Sequence, residues 1–230
     1  MSFKNKIDWF DLATEGTNLV AVSESDGASA QTVDVPDDKG SFAVTTMFGE
    51  SVAPSVDYKL KGTFKQLGNN EADIKLGQVS TVNEKTVALA SITINTGAGS
   101  EPTVSASGEQ VQDGAKAECV YAIPAFELTT RHHAQILFDA FELSGDGCYL
   151  QTANYTIEGT IVKATKDGVC LAFDIIEGKI EAQITIAQVG DEKPVLTLGE
   201  GWVFTSPLAC ENPDASYPSW SATIKKNLTK

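Results

Sequence analysis

His132 and His133 are the only histidines in the chain, and they are adjacent. A transition-metal site needs imidazoles that converge on one point. Neighbours on a helix diverge by about 100°, and neighbours on a strand point to opposite faces. No H-E-x-x-H run accompanies the pair, and Cys119, Cys148, Cys170 and Cys210 contain no C-x-x-C spacing. The pattern therefore predicts no tightly bound metal and no cofactor. No G-x-S-x-G elbow marks a nucleophilic serine, although distant residues can still converge on a triad. Gly97-Ala98-Gly99-Ser100 lacks the lysine of a phosphate loop. Ser25-Asp26-Gly27 and Ser144-Gly145-Asp146-Gly147 offer oxygens to calcium without a full ligand ladder, so both read as turns. With 31 acidic residues, some carboxylates will pair by abundance alone, so a glycosidase pair carries little weight. Trp9, Trp202 and Trp220 allow a sugar platform, but Trp220 falls on an inward-facing strand position and reads as core.

The charges that remain conspicuous are Lys59, Lys61 and Lys65. They lie on the outward face of a strand whose other face carries Tyr58, Leu60, Gly62 and Phe64. A sheet edge exposes unpaired N–H and C=O groups, and lysines on it either block unwanted pairing or meet an acidic neighbour. These three are the candidate assembly contacts. The formal charge of −14 predicts a surface that repels nucleic acid and anionic lipid. Arg131 is the only arginine, so the side chain best shaped for phosphate forks is nearly missing. No specific nucleic-acid binding is expected.

The elements that must hold these residues are mostly strands. Tyr155–Ile161 repeats the alternation of Tyr58–Phe64. Val169–Ile176 and Lys179–Val189 alternate equally cleanly, joined to their neighbours by Asp167-Gly168 and Glu177-Gly178 turns. Strands are expected at Ile74–Val82, Thr86–Asn95 and Glu118–Leu128, the last with Val120, Ala122, Phe126 and Leu128 on one side. Further strands are expected at Val195–Leu198, Trp202–Thr205 and Pro218–Lys226. Thr129–Leu143 is the one helix candidate, because Ile136, Leu137, Ala140 and Phe141 recur at helical spacing; a strand is the alternative. No run of about twenty apolar residues predicts a membrane helix, and the opening residues do not read as a secretory signal. Reduced, buried thiols are expected, with spacing alone leaving a disulfide open.

Two matches suggest a doubled unit: Tyr58–Phe64 with Tyr155–Ile161, and Pro102–Ala106 with Pro218–Ala222. The expected class is mainly β, an antiparallel sandwich or barrel, with one helix between two duplicated β units. The expected division is an N-terminal arm and first strands at 1–54, a first β unit at 55–117, a connecting strand and helix at 118–149, and a second β unit at 150–230.

The two tyrosine strands, the Thr129–Leu143 segment between β blocks and the closing Ser219–Ile224 strand together resemble phage or prophage virion proteins, tail-tube-like ones in particular. That resemblance implies a non-enzymatic structural protein that self-assembles and contacts other virion proteins, in the virion or the host cytoplasm. The residues also leave open a carbohydrate- or other ligand-binding β module. An acid-dependent glycosidase comes third.

Overall fold

The computed structural model describes strand backbone at 18–19, 27–37, 40–51, 55–61 and 64–65, and residues 75–82, 85–100, 102–111, 120–124, 126–128, 134–166 and 169–229. The first strands are β1 (Asn18–Leu19), β2 (Gly27–Asp37), β3 (Gly40–Ser51), β4 (Ser55–Lys61) and β5 (Phe64–Lys65). The middle of the chain gives β6 (Lys75–Leu76), β7 (Val79–Val82), β8 (Lys85–Gly97), β9 (Thr103–Gln110), β10 (Tyr121–Ala122) and β11 (Glu127–Leu128). Then follow β12 (Phe141–Ser144), β13 (Cys148–Lys166), β14 (Val169–Gln188), β15 (Val195–Leu198), β16 (Val203–Cys210) and β17 (Ser219–Asn227). The described residues contain no helix, so none that could span a membrane.

One nine-stranded antiparallel sheet dominates, in the order β1-β4-β9-β8-β13-β14-β17-β16, with β7 also paired to β8. The period-two pattern explains its two faces. Ile92 and Ile94 on β8, Ala153, Tyr155 and Ile157 on β13, Ile180, Ala182, Ile184 and Ile186 on β14, and Ala222 and Ile224 on β17 are all buried. The alternate positions carry hydroxyl, amide and charged groups. An antiparallel sheet of this kind buries one face and wets the other. Each fully buried isoleucine contributes about 1.5–3 kcal/mol.

A second layer of short pieces covers the apolar face. Leu76 of β6, Tyr121 of β10, Leu128 of β11 and Phe141 of β12 join Phe126, Leu137 and Trp202 in the same core. The small sheets are β6 with β10, β5 with β11, and β12 with β15; β2 pairs with β3 as a separate ribbon.

Several expectations change. The helix over Thr129–Leu143 is absent from its described part: 134–137 is irregular, Phe138 and Asp139 turn with φ of 58° and 49°, and Phe141 opens β12. The sheet below claims that backbone. Thr96 Oγ1 accepts the Gln135 N–H at 3.0 Å, and the Tyr155 hydroxyl accepts the Leu137 N–H at 2.9 Å and donates to the Gln135 carbonyl at 3.0 Å. Leu137, Ala140 and Phe141 still reach the core, but Ile136 is exposed. In the 118–128 region, Phe126 and Leu128 are buried as expected, whereas Tyr121 and Ile123 are buried and Ala122 is exposed, so the expected face reverses in the first part of the segment only.

Glu177-Gly178 is not a turn. It lies within β14, opposite Gly159, where the register slips between the Glu158–Lys179 and Thr160–Ile176 pairs. The Tyr58 and Tyr155 strands belong to one sheet, but their pairing does not repeat. The Tyr58 strand lies directly beside the Pro102 strand, whereas β14 separates the Tyr155 strand from the one that follows Pro218.

Candidate functional site

The bulge in the β13–β14 ladder is the most constructed feature of the surface. One residue, Gly159, faces two, Glu177 and Gly178. Glu177 takes up the irregularity with φ of 55°, a left-handed conformation unusual for a side chain other than Gly, Asn or Asp. Gly178 is required by contact: a Cβ there would lie 2.5 Å from Cγ of Tyr121. At Gly159 a Cβ would strike Cγ2 of Ile175. The Gly178 carbonyl accepts the Leu228 N–H at 2.8 Å, which ties the end of β17 to the bulge.

This geometry opens a cleft of about 680 Å³ whose lining includes Tyr121, Glu158, Glu177, Lys179, Lys225 and Asn227. Lys179 Nζ lies 3.0 Å from Glu158 Oε1 and 3.8 Å from Glu181 Oε2. The hydrogen bond to Glu158 raises the Lys179 pKa above its ordinary value, against a smaller opposing effect of burial. Both side chains are about a third to a half exposed, so the pair contributes only about 0.2–1 kcal/mol. Its chemical meaning is occupancy: Glu158 is engaged by an ammonium group, which suits a fixed polar wall better than a proton-transfer site.

The ends of the main sheet form the second feature. At one end, β1 pairs only with Leu60 and Lys61 of β4, so Ser55–Lys59 has β9 alone as a neighbour among the described strands. At the other end, β16 pairs with β17 and exposes Val203 and Phe204, at 51% and 41%. The far half of β16 is irregular, with Pro207 inside the second of its two register shifts, the one between Ser206 and Ala209. Proline and bulges blunt an edge.

The three candidate lysines do not share a strand. Lys59 lies in β4, in register with Thr103, and Lys61 is in register with Asn18. Lys65 belongs to β5, in a different small sheet, in register with Glu127. The chain leaves the main sheet after Lys61, so the expected common face is restricted to Lys59 and Lys61.

Other candidates fall into ordinary places. His132, His133, Trp9 and Cys119 lie outside the described residues. Cys148 and Cys210 are half-buried free thiols rather than fully buried ones. Burial pushes the Cys148 thiol up, with Glu192 and Asp146 adding to the effect, which opposes thiolate chemistry. Gly97-Ala98-Gly99-Ser100 is a turn closed by the Ser100 N–H and hydroxyl on the Gly97 carbonyl. Asp146 sits in a turn whose N–H donates to Glu192 Oε2 at 2.9 Å. Among the described residues, no three His, Cys, Asp or Glu side chains group as metal ligands. Trp202 is buried, and half-buried Trp220 donates its indole N–H to Gln188 Oε1 at 2.8 Å, as its core reading requires.

Sequence reasoning missed the bulge cleft and the exposed Tyr149 and Tyr217. The signal for the bulge was present, because a glycine inside an alternating run, here Gly159, marks such irregularities. Nothing in the spacing distinguished the two exposed tyrosines from buried ones.

No protein-family model and no curated protein matches the chain.

Proposed function

We propose that this chain is a non-enzymatic structural protein of a virion, tail-tube-like in kind, that assembles with copies of itself and with other virion proteins. The observation that supports this reading is the main sheet, which among the described strands ends in two different edges. Its β4 end carries backbone without a described strand beside it, and its β16 end presents Val203 and Phe204 to solvent. The two ends differ, so joining them between copies makes a head-to-tail interface, which closes into rings or extends as filaments. The Val203–Phe204 end of β16 is the part able to pair, because the register shifts begin after Phe204 and Pro207 interrupts the rest.

Light scattering after size exclusion, with negative-stain electron microscopy, tests the reading. Rings or tubes are expected. A monomer at every concentration defeats it. Lys59→Glu with Lys61→Glu is expected to lower the oligomer mass and to be partly rescued by salt. Each exposed contact is worth about 0.2–1 kcal/mol, multiplied by its repetition around an assembly. Circular dichroism separates lost assembly from lost folding. Lys65→Glu alone is expected to leave the mass nearly unchanged, because Lys65 lies on another sheet.

A further inference from the structure

The wet face of the main sheet has a composition that solubility alone does not require. Away from the bulge it is almost free of charge. Asn154 on β13, Gln183 and Thr185 on β14, and Thr223 on β17 occupy outward positions on three adjacent strands. They lie in neighbouring register rows: Asn154 faces Gln183, Gln183 faces Thr223, and Thr185 continues the row one step along. A chain with net charge −14 thus lines these positions with hydroxyls and amides, and the carboxylate that reaches them is that of Glu211, which accepts from the Ser221 hydroxyl opposite Thr185.

Beyond this field, at the end away from the bulge, three large side chains stand in solvent: Tyr149 at 58% exposure, Val189 at 56% and Tyr217 at 64%. The pairing brings them together. Tyr149 faces Ala187, two residues before Val189, and Ala187 faces Ser219, two residues after Tyr217. The Gln188 N–H donates to the Pro218 carbonyl at 2.9 Å, which fixes the Tyr217 segment beside β14. The two tyrosines therefore flank β14, two strand spacings apart across the sheet and two residues apart along it, a backbone separation of about 12 Å. Most other aromatic side chains of the described core, including Phe126, Phe141, Tyr155 and Trp202, are buried.

We infer that this face binds a neutral oligosaccharide. Its chemistry selects that class. A sugar ring offers C–H faces to an aromatic ring and hydroxyls to neighbouring donors and acceptors, and the tyrosines and the hydroxyl–amide field supply both in sequence along one surface. Two rings flanking one strand suit successive sugar units. The field gives an anionic glycan no cation to pair with, and Glu211 at its margin and the acidic molecule as a whole repel it. The inference is independent of the assembly reading: either can stand without the other.

The test titrates neutral β-linked glucose and N-acetylglucosamine oligomers into the full chain, followed by calorimetry and saturation-transfer NMR. Binding is expected. Tyr149→Ala and Tyr217→Ala are each expected to weaken it about tenfold, and Tyr149→Phe, which keeps the ring, to change it by less than about threefold. Gln183→Ala with Thr185→Ala tests the field separately and is also expected to weaken binding. All four positions are at least partly exposed, and circular dichroism checks that each variant is folded. Absence of binding by every oligomer overturns the inference, as does unchanged affinity in the double tyrosine variant. Reduced oligomer mass in that variant, without glycan binding by the parent, assigns the tyrosines to a subunit contact and also overturns it. A monomer that binds glycan upholds this inference while defeating the assembly reading.

Discussion

Tyr155 shows how one side chain can replace a secondary structure. Its ring is fully buried and meets Phe138 edge-on at 5.6 Å, while its hydroxyl holds two backbone groups of the segment above. Tyr155→Phe keeps the ring and removes the hydroxyl's bonds to the Leu137 N–H and the Gln135 carbonyl. Chemical denaturation is expected to show a loss of about 1–3 kcal/mol. Burial also raises the phenol pKa well above its ordinary value of 10.0. The sign follows from proton binding: above that ordinary value the unfolded chain releases the proton and the folded chain keeps it. Stability from this group is therefore complete below about pH 10 and declines as pH rises beyond it, at up to about 1.4 kcal/mol per pH unit. Denaturation midpoints measured on both sides of pH 10 check this, and Tyr155→Phe should flatten the decline. Gly178→Ala belongs to the same scale. Its Cβ would press on the buried Tyr121 ring at 2.5–2.9 Å, and a loss of about 1–3 kcal/mol in thermal or chemical unfolding is expected.

At the scale of elements, alternation was legible, and of an interruption the position was marked but not the kind. The inward sets on β13, β14 and β17 follow directly from the spacing of Tyr155 and Ile157, Ile180 to Ile186, and Ala222 and Ile224. A period of two leaves little freedom once one face must be dry. The Glu177-Gly178 dipeptide looked like a turn because those residue types serve turns and bulges alike. What decides between them is whether the chain reverses, and that depends on β17 and Tyr121 packing around the bulge. Glu177 makes this testable. Glu177→Gly relieves the left-handed strain and is expected to be neutral or stabilising by up to about 1 kcal/mol, whereas Glu177→Val is expected to destabilise. Thermal melts of the pair measure the difference. The segment around Leu137 failed as a helix for a related reason. Its apolar spacing fits a helix, but the buried Thr96 and Tyr155 hydroxyls offer its backbone better-placed partners than its own next turn.

For the whole molecule, net charge carries the prediction. A net charge of −14 gathers mostly like charges in a compact volume, and moderate salt is expected to raise the melting temperature by screening them. Calorimetry across a salt series checks this, and a falling melting temperature would show that specific ion pairs outweigh the general repulsion. What the amino-acid sequence settled by itself was the β class, the inward residues of the second half and the acidic surface. These follow from composition and from a period of two, which need no knowledge of neighbours. The tertiary structure alone decided that the Tyr58 and Tyr155 strands share one sheet with different partners, that Lys65 leaves Lys59 and Lys61, and that Tyr149 and Tyr217 flank one strand. Each of these is a fact of pairing between residues far apart in the chain. Strands with similar alternation are interchangeable until the register, the bulges and the covering layer make one arrangement bury the most surface with its backbone hydrogen bonds satisfied.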